Sequence, residues 1–176
     1  MKKLSTIFGL LMLVAVAFSS CGSDDDKSEY VLSNALCKHT HALSIADAGT
    51  QVTTSQTNVS LDDMLKAYDY VPPITGGVMS LTDGTTIKIT GLKEGVILQD
   101  FTLTINDSQK TFGNITLDKA ELYNDTNLQY FKEVFNKMVS QRKLTVKASY
   151  KPNVKVTDED ALKVEIVFKG NFTYLK

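Results

Sequence analysis

Residues 144–150 read Leu-Thr-Val-Lys-Ala-Ser-Tyr, and residues 164–174 read Val-Glu-Ile-Val-Phe-Lys-Gly-Asn-Phe-Thr-Tyr. In the first, Leu144, Val146, Ala148 and Tyr150 share one face, with Thr145, Lys147 and Ser149 on the other. In the second, Val164, Ile166, Phe168, Gly170, Phe172 and Tyr174 alternate with Glu165, Lys169, Asn171 and Thr173. Side chains of a strand alternate between faces, so each segment has one dry face and one wet face. That pattern belongs to antiparallel sheet, because parallel strands are covered on both sides. The same alternation marks Phe101, Leu103 and Ile105, and more briefly Ile87 and Ile89.

Turn residues separate these runs. Asp83-Gly84 predicts a tight hairpin. Asn106-Asp107-Ser108 predicts a second turn, and Pro152-Asn153 opens the connection between the last two strands. Short strands at this spacing predict a mainly β fold, an antiparallel β-sandwich that is immunoglobulin-like in general architecture. Two helices interrupt it. A short one is expected near 60–69, with Ser60 as N-cap and Pro72-Pro73 barring continuation. A crossing helix is expected near 125–141, where Leu128, Phe131, Val134, Phe135, Met138 and Val139 recur at helical spacing and Asp125 and Thr126 supply the start signal. Its apolar stripe fits the edge or open end of a sheet.

The N-terminus has a different character. Met1-Lys2-Lys3 is basic, the run from Leu4 to Phe18 is apolar, and the small pair Ser19-Ser20 precedes Cys21. A basic start, a short apolar stretch and small residues at a cleavage point describe a secretory signal, whereas a spanning helix needs about 20 apolar residues. With Cys21 directly after the cut, the segment resembles the lipobox of bacterial lipoproteins, although Phe18 stands where an aliphatic residue is more usual. The resemblance covers residues 1–26 and implies acylation of Cys21. Ser23, Asp24, Asp25 and Asp26 resemble the surface-export signal of Bacteroidota lipoproteins, which implies display on the outer face of the outer membrane. The plainer reading of that acidic run is a solvated tether. The chain thus divides into a signal peptide (1–20), a lipidated Cys with a flexible acidic tether (21–29), and one sandwich domain (30–176).

Of the 176 residues, those left after the signal make one ordinary domain, large enough to fold without metal or disulfide. Nineteen basic and twenty acidic side chains, with Arg142 the single arginine, offer no basic surface for nucleic acid. Acylation of Cys21 leaves Cys37 without an intramolecular partner.

Both histidines lie in Cys37-Lys38-His39-Thr40-His41. In an extended chain Cys37, His39 and His41 project from one face, and thiolate and imidazole are ligands that zinc or copper prefers. With no fourth ligand evident and Asp47 the nearest carboxylate, the residues are expected to be ordinary strand residues, with no metal and no cofactor. Acyl transfer lacks a Gly-x-Ser-x-Gly elbow. Glu94, Asp100, Glu121 and Glu133 could pair for glycoside hydrolysis only if the fold brings two of them together, and no Trp is present to stack on a sugar. Asp158-Glu159-Asp160 lacks the spacing of a calcium loop. The stiff, aromatic Tyr68-Asp69-Tyr70-Val71-Pro72-Pro73 offers a partner-binding loop through Tyr68, Tyr70, Pro72 and Pro73, or else a cap on one end of the sandwich.

The expected function is that of a non-catalytic binding or assembly module, anchored to the outer membrane by lipid and meeting a protein or glycan. The alternatives are a small extracytoplasmic metal-binding protein or enzyme using Cys37, His39 and His41, and a pilus-type subunit in which an edge strand, for instance Val164 to Tyr174, completes a neighbour's sheet.

Overall fold

The computed structural model describes residues 27–81, 83–157 and 162–176. Its strands are β1 (Glu29–Ala42), β2 (Val52–Thr53), β3 (Thr57–Ser60), β4 (Ile74–Met79), β5 (Thr86–Thr90), β6 (Leu98–Ile105), β7 (Ser108–Ile115), β8 (Lys143–Pro152) and β9 (Lys163–Leu175), with helices α1 (Leu61–Leu65) and α2 (Leu128–Gln141). They form two antiparallel sheets. In the first, β9 is flanked by β1 on one side and by β4 and β5 on the other; in the second, β2 and β3 lie on β8, followed by β6 and β7.

The alternation read from the sequence points inward. Val164, Ile166, Phe168 and Phe172 of β9 face Leu144, Val146, Ala148 and Tyr150 of β8 in one buried cluster, which also holds Phe101, Leu103 and Ile105 of β6. Removal of such side chains from water is the main favourable term, roughly 2 kcal/mol for each large apolar residue. In β6 the in-out phase changes between Leu98 and Phe101, where Asp100 adopts a positive φ of 52° and the register slips. A bulge there keeps both Leu98 and Phe101 inside.

Several sequence expectations need correction. Asp83-Gly84 does not close a hairpin. β4 pairs with residues 170–174 of β9 and β5 with residues 163–167, so the two run end to end along one neighbour. The connection steps over Lys169: Ser80 N–H donates to Lys169 O (2.8 Å), Lys169 N–H donates to Thr85 Oγ1 (3.0 Å), and Lys169 Nζ donates to Asp83 O (3.1 Å). The long edge of β9 templates both strands, and this outweighs the local turn preference. The first helix is also shorter than expected. Ser60 caps it as anticipated, its Oγ accepting the Asp63 N–H (3.0 Å), but it ends at Leu65, where the chain turns and Tyr68 leaves toward β1.

The Asn106-Asp107 turn does close β6 and β7, with φ of 46° and 63° at its two residues. The second helix also lies where expected. A 3₁₀ turn at Asp125–Asn127 leads into α2, and Asn124, rather than Asp125 or Thr126, supplies the cap through its side chain. Helix α2 buries Phe131, Val134, Phe135 and Met138. Phe135 packs on Phe168 and Phe172, with ring centroids 5.8 and 5.7 Å away. Gly170 permits this approach, because a Cβ there would lie 2.7 Å from Phe135 Cζ.

The sandwich has two distinct ends. At one, Ser28 and Lys176 exchange backbone hydrogen bonds of 3.0 and 3.1 Å, so pairing starts inside the stretch read as tether. The connections at 66–73 and 106–107 lie at this same end. At the other end lie the connections β1–β2, β5–β6, β7–α2 and β8–β9.

Candidate functional site

The structure places Cys37, His39 and His41 on the inner face of β1, as their spacing predicts. They do not meet as a ligand set. Cys37 sinks into the core, where burial pushes its thiol up to about 12. The imidazoles instead converge on a hydroxyl: Thr57 Oγ1 lies 3.2 Å from His39 Nε2 and 3.2 Å from His41 Nδ1. One hydroxyl has one proton, so this bridge suits a chain in which His39 Nε2–H donates to Thr57 and Thr57 donates to His41 Nδ1. Burial lowers the pKa of both rings, and for His41 the neighbouring His39 lowers it further. No group of three or more His, Cys, Asp or Glu among the described residues could hold a metal ion.

Tyr68 and Tyr70 are half-buried, and their hydroxyls are engaged within the fold. Tyr68 Oη accepts the Leu36 N–H (2.8 Å), and Tyr70 Oη donates to Asp62 Oδ1 (2.9 Å). The Tyr70 ring meets Tyr174 edge-on at 5.7 Å, and Tyr174 stacks on Tyr30 at 5.7 Å. Pro72, Pro73 and Val71 remain exposed beside them. The loop therefore caps the end where the chain enters, and only its proline-bearing tip is open to a partner.

A polar triangle that sequence reading missed joins α2 to the β6–β7 hairpin. Lys137 Nζ donates to Ser108 Oγ (2.7 Å), Ser108 Oγ donates to Glu133 Oε1 (2.7 Å), and Lys137 and Glu133 pair at 3.0 Å. These bonds hold the Glu133 carboxyl below the usual range, with Ser108 the larger cause. The Ser108 hydroxyl, donating to the carboxylate and accepting from the ammonium, links the helix to the hairpin. The spacing Glu133-x₃-Lys137 is the only sequence signal for it.

Three open clefts adjoin one another at the far end, and others lie on the outer face of the second sheet, around Thr102 and Lys147, and beside α2, around Val78 and Lys132. A cleft of about 310 Å³ is lined by Phe112, Asn114, Asp118, Glu121, Asn124 and Asn127, among others. Beside it, Glu94, Val96, Ile97 and Leu117 line a shallow, apolar depression of about 420 Å³, and Asp118 borders both. A third of about 240 Å³ shares Glu94 and Val96 and adds Val154 and Leu162. Of the four carboxylates weighed for glycoside chemistry, Glu94 and Glu121 border these clefts. Glu133 is committed to the triangle above, and Asp100 sits on the bulge of β6. Loops gathered at one end of a rigid sandwich are a common place for recognition.

Cys21, Ser23, Asp24, Asp25 and Asp26 lie outside the described residues, as do Asp158, Glu159 and Asp160. The chain matches no protein-family model, no curated protein and no solved structure.

Proposed function

We propose that the protein is a cell-envelope lipoprotein that displays a non-catalytic β-sandwich as a binding or assembly module at the outer membrane, with its partner, a protein or a glycan, meeting the far-end clefts. The observation that carries the reading is Cys21 in its setting, after Ser19-Ser20 and before Ser23-Asp24-Asp25-Asp26. The fold supports it in one respect. The chain enters the domain at Ser28, and the clefts around Leu117 and Asp118 open at the opposite end. A tethered module with that polarity presents those clefts away from its anchor.

The test is metabolic labelling with a fatty-acid analogue. The parent should be tagged and Cys21→Ser should not, because only the thiol takes the lipid; equal labelling would sink the reading. Outward display is tested by replacing Asp24, Asp25 and Asp26 with Asn. This should reduce digestion by protease added to intact cells while leaving lipidation unchanged, and a parent already protected from protease would place the domain on the inner side.

The pilus-type alternative finds no free strand in residues 164–174, since β9 is paired on both sides.

A further inference from the structure

We propose that the end of the sandwich where the chain enters, bearing Tyr30, Val31, Val71, Tyr174 and Leu175, lies against the lipid surface to which the protein is anchored. This rests on the anchor reading above and adds to it a direct contact between domain and bilayer.

Several observations converge on that end. Among the described residues, four large apolar side chains that remain in water belong to this end, Val31 (56% exposed), Tyr30 (45%), Val71 (41%) and Leu175 (41%), while Val78, Leu81, Leu117, Ile45 and Val154 are exposed elsewhere. Strand pairing sets Glu29 opposite Leu175, Tyr30 opposite Tyr174, and Val31 opposite Thr173. Val71 follows Tyr70, whose ring packs on Tyr174. Val31 and Leu175 lie on the outer face of the sheet and Tyr30 with Tyr174 on the inner one, so the rim at this end is apolar on both faces.

The occupant follows from chain length. Cys21 and Ser28 are seven peptide steps apart, which at about 3.6 Å per step reach no more than roughly 25 Å in any conformation. Ser28 is itself fixed by its two bonds to Lys176. Strand β1 runs 14 residues from this point, about 45 Å at strand rise, so the far end stands well beyond the reach of the tether. The entry end is thus the part of the domain kept next to the bilayer.

Its chemistry suits that place. Tyrosine has an apolar ring and a polar tip, and it favours the level of lipid headgroups. The rings of Tyr30 and Tyr70 bracket Tyr174 and are already ordered, so contact costs little further freedom. Lys27, Glu29 and Lys176 flank the patch with mixed charge. This favours a surface recognised through its apolar boundary over one recognised by net charge.

The chain contains no tryptophan, so a single indole reports on one position. The full acylated chain, as Tyr30→Trp or Ile45→Trp, is reconstituted in phosphatidylcholine vesicles with and without bromine on the acyl chains. Ile45 is 53% exposed and lies beyond the far end of β1. The inference expects loss of emission at position 30 in the brominated vesicles and none at position 45. Val31→Trp, on the outer face, gives a second reading that leaves the tyrosine stack intact. An acylated, vesicle-bound chain quenched at neither end, or equally at both, overturns the inference and leaves the anchor reading standing. The inference is also overturned if emission at position 30 responds to protein concentration and not to bromine, because a second copy then covers the patch. A chain whose mass shows no acyl group overturns the anchor reading and the inference with it.

Discussion

His41 Nε2 stands 2.6 Å from Thr54 Oγ1, and the Thr54 hydroxyl in turn accepts the Ala148 N–H at 2.9 Å. An imidazole on β1 of the first sheet is thereby bonded, through one side chain, to the backbone of β8 in the second. With Thr57 bridging to His39, the seam between the sheets holds two histidines and no carboxylate partner among their hydrogen bonds.

The stability of the domain should therefore depend on pH near neutrality. Both histidines have folded pKa values lowered by burial, so the unfolded chain, with histidine near 6.5, binds protons first. Their contribution is complete above about 6.5 and is lost as pH falls through that value toward the folded ones. The urea midpoint should fall from pH 7.5 to 5.5, and the His39→Gln/His41→Gln pair should fall less steeply. Identical slopes would refute this account.

Asn106 should be among the least replaceable polar residues. Fully buried with φ of 46°, it accepts the Thr145 N–H at 2.7 Å and donates to Lys143 O at 2.7 Å. Asn106→Ala combines left-handed strain with stranded backbone groups and should cost about 3 kcal/mol in denaturant unfolding. Asn106→Gly removes the strain alone and should recover about 1 kcal/mol of that. Equal losses in the two would show that the backbone conformation contributes nothing.

Gly170→Ala tests the seat of α2. The added Cβ would come within 2.7 Å of Phe135 Cζ and 2.9 Å of the Val78 carbonyl oxygen, and backbone cannot step aside as a flexible side chain can. Overpacking of this kind costs about 1–3 kcal/mol. A shift of the urea midpoint well below that range would mean that helix and strand separate freely.

Cys37 should be chemically silent. With its thiol pushed up to about 12 and its side chain 1% exposed, little thiolate forms and little reagent reaches it. A Cys21→Ser chain should release almost no thionitrobenzoate from Ellman's reagent at pH 8 and one equivalent in guanidinium. Rapid native reaction would show that β1 opens.

The parts of this fold legible in the sequence are those set by periodicity. The two long strands β8 and β9 carry unbroken alternation, and α2 carries a helical stripe, so both announce themselves locally. Strands β2 and β3 do not: Val52–Thr53 and Thr57–Ser60 are short and polar, and they become strands only because β8 offers them partners. The Asp83-Gly84 misreading has the same origin, a local turn preference overridden by pairing with a strand some eighty residues later. At the candidate site, alternation correctly put Cys37, His39 and His41 on one face. What they face could not be read, because Thr54 and Thr57 reach them only through the pairing of their own segment with β8. The far-end clefts draw on connections from separate parts of the chain and leave no motif.

The position of β9 bears on how the molecule is made. It follows every other described strand, yet β1, β4 and β5 all take their register from it. A ribosome emits those three long before their common partner exists, so they must wait, unpaired, with aggregation-prone edges in the open. Assembly of the first sheet is therefore a single late event, and contacts so distant along the chain form slowly. A nascent chain stopped before residue 163 would have no way to build that sheet, and the missing sheet would leave an unfinished product open to proteolysis.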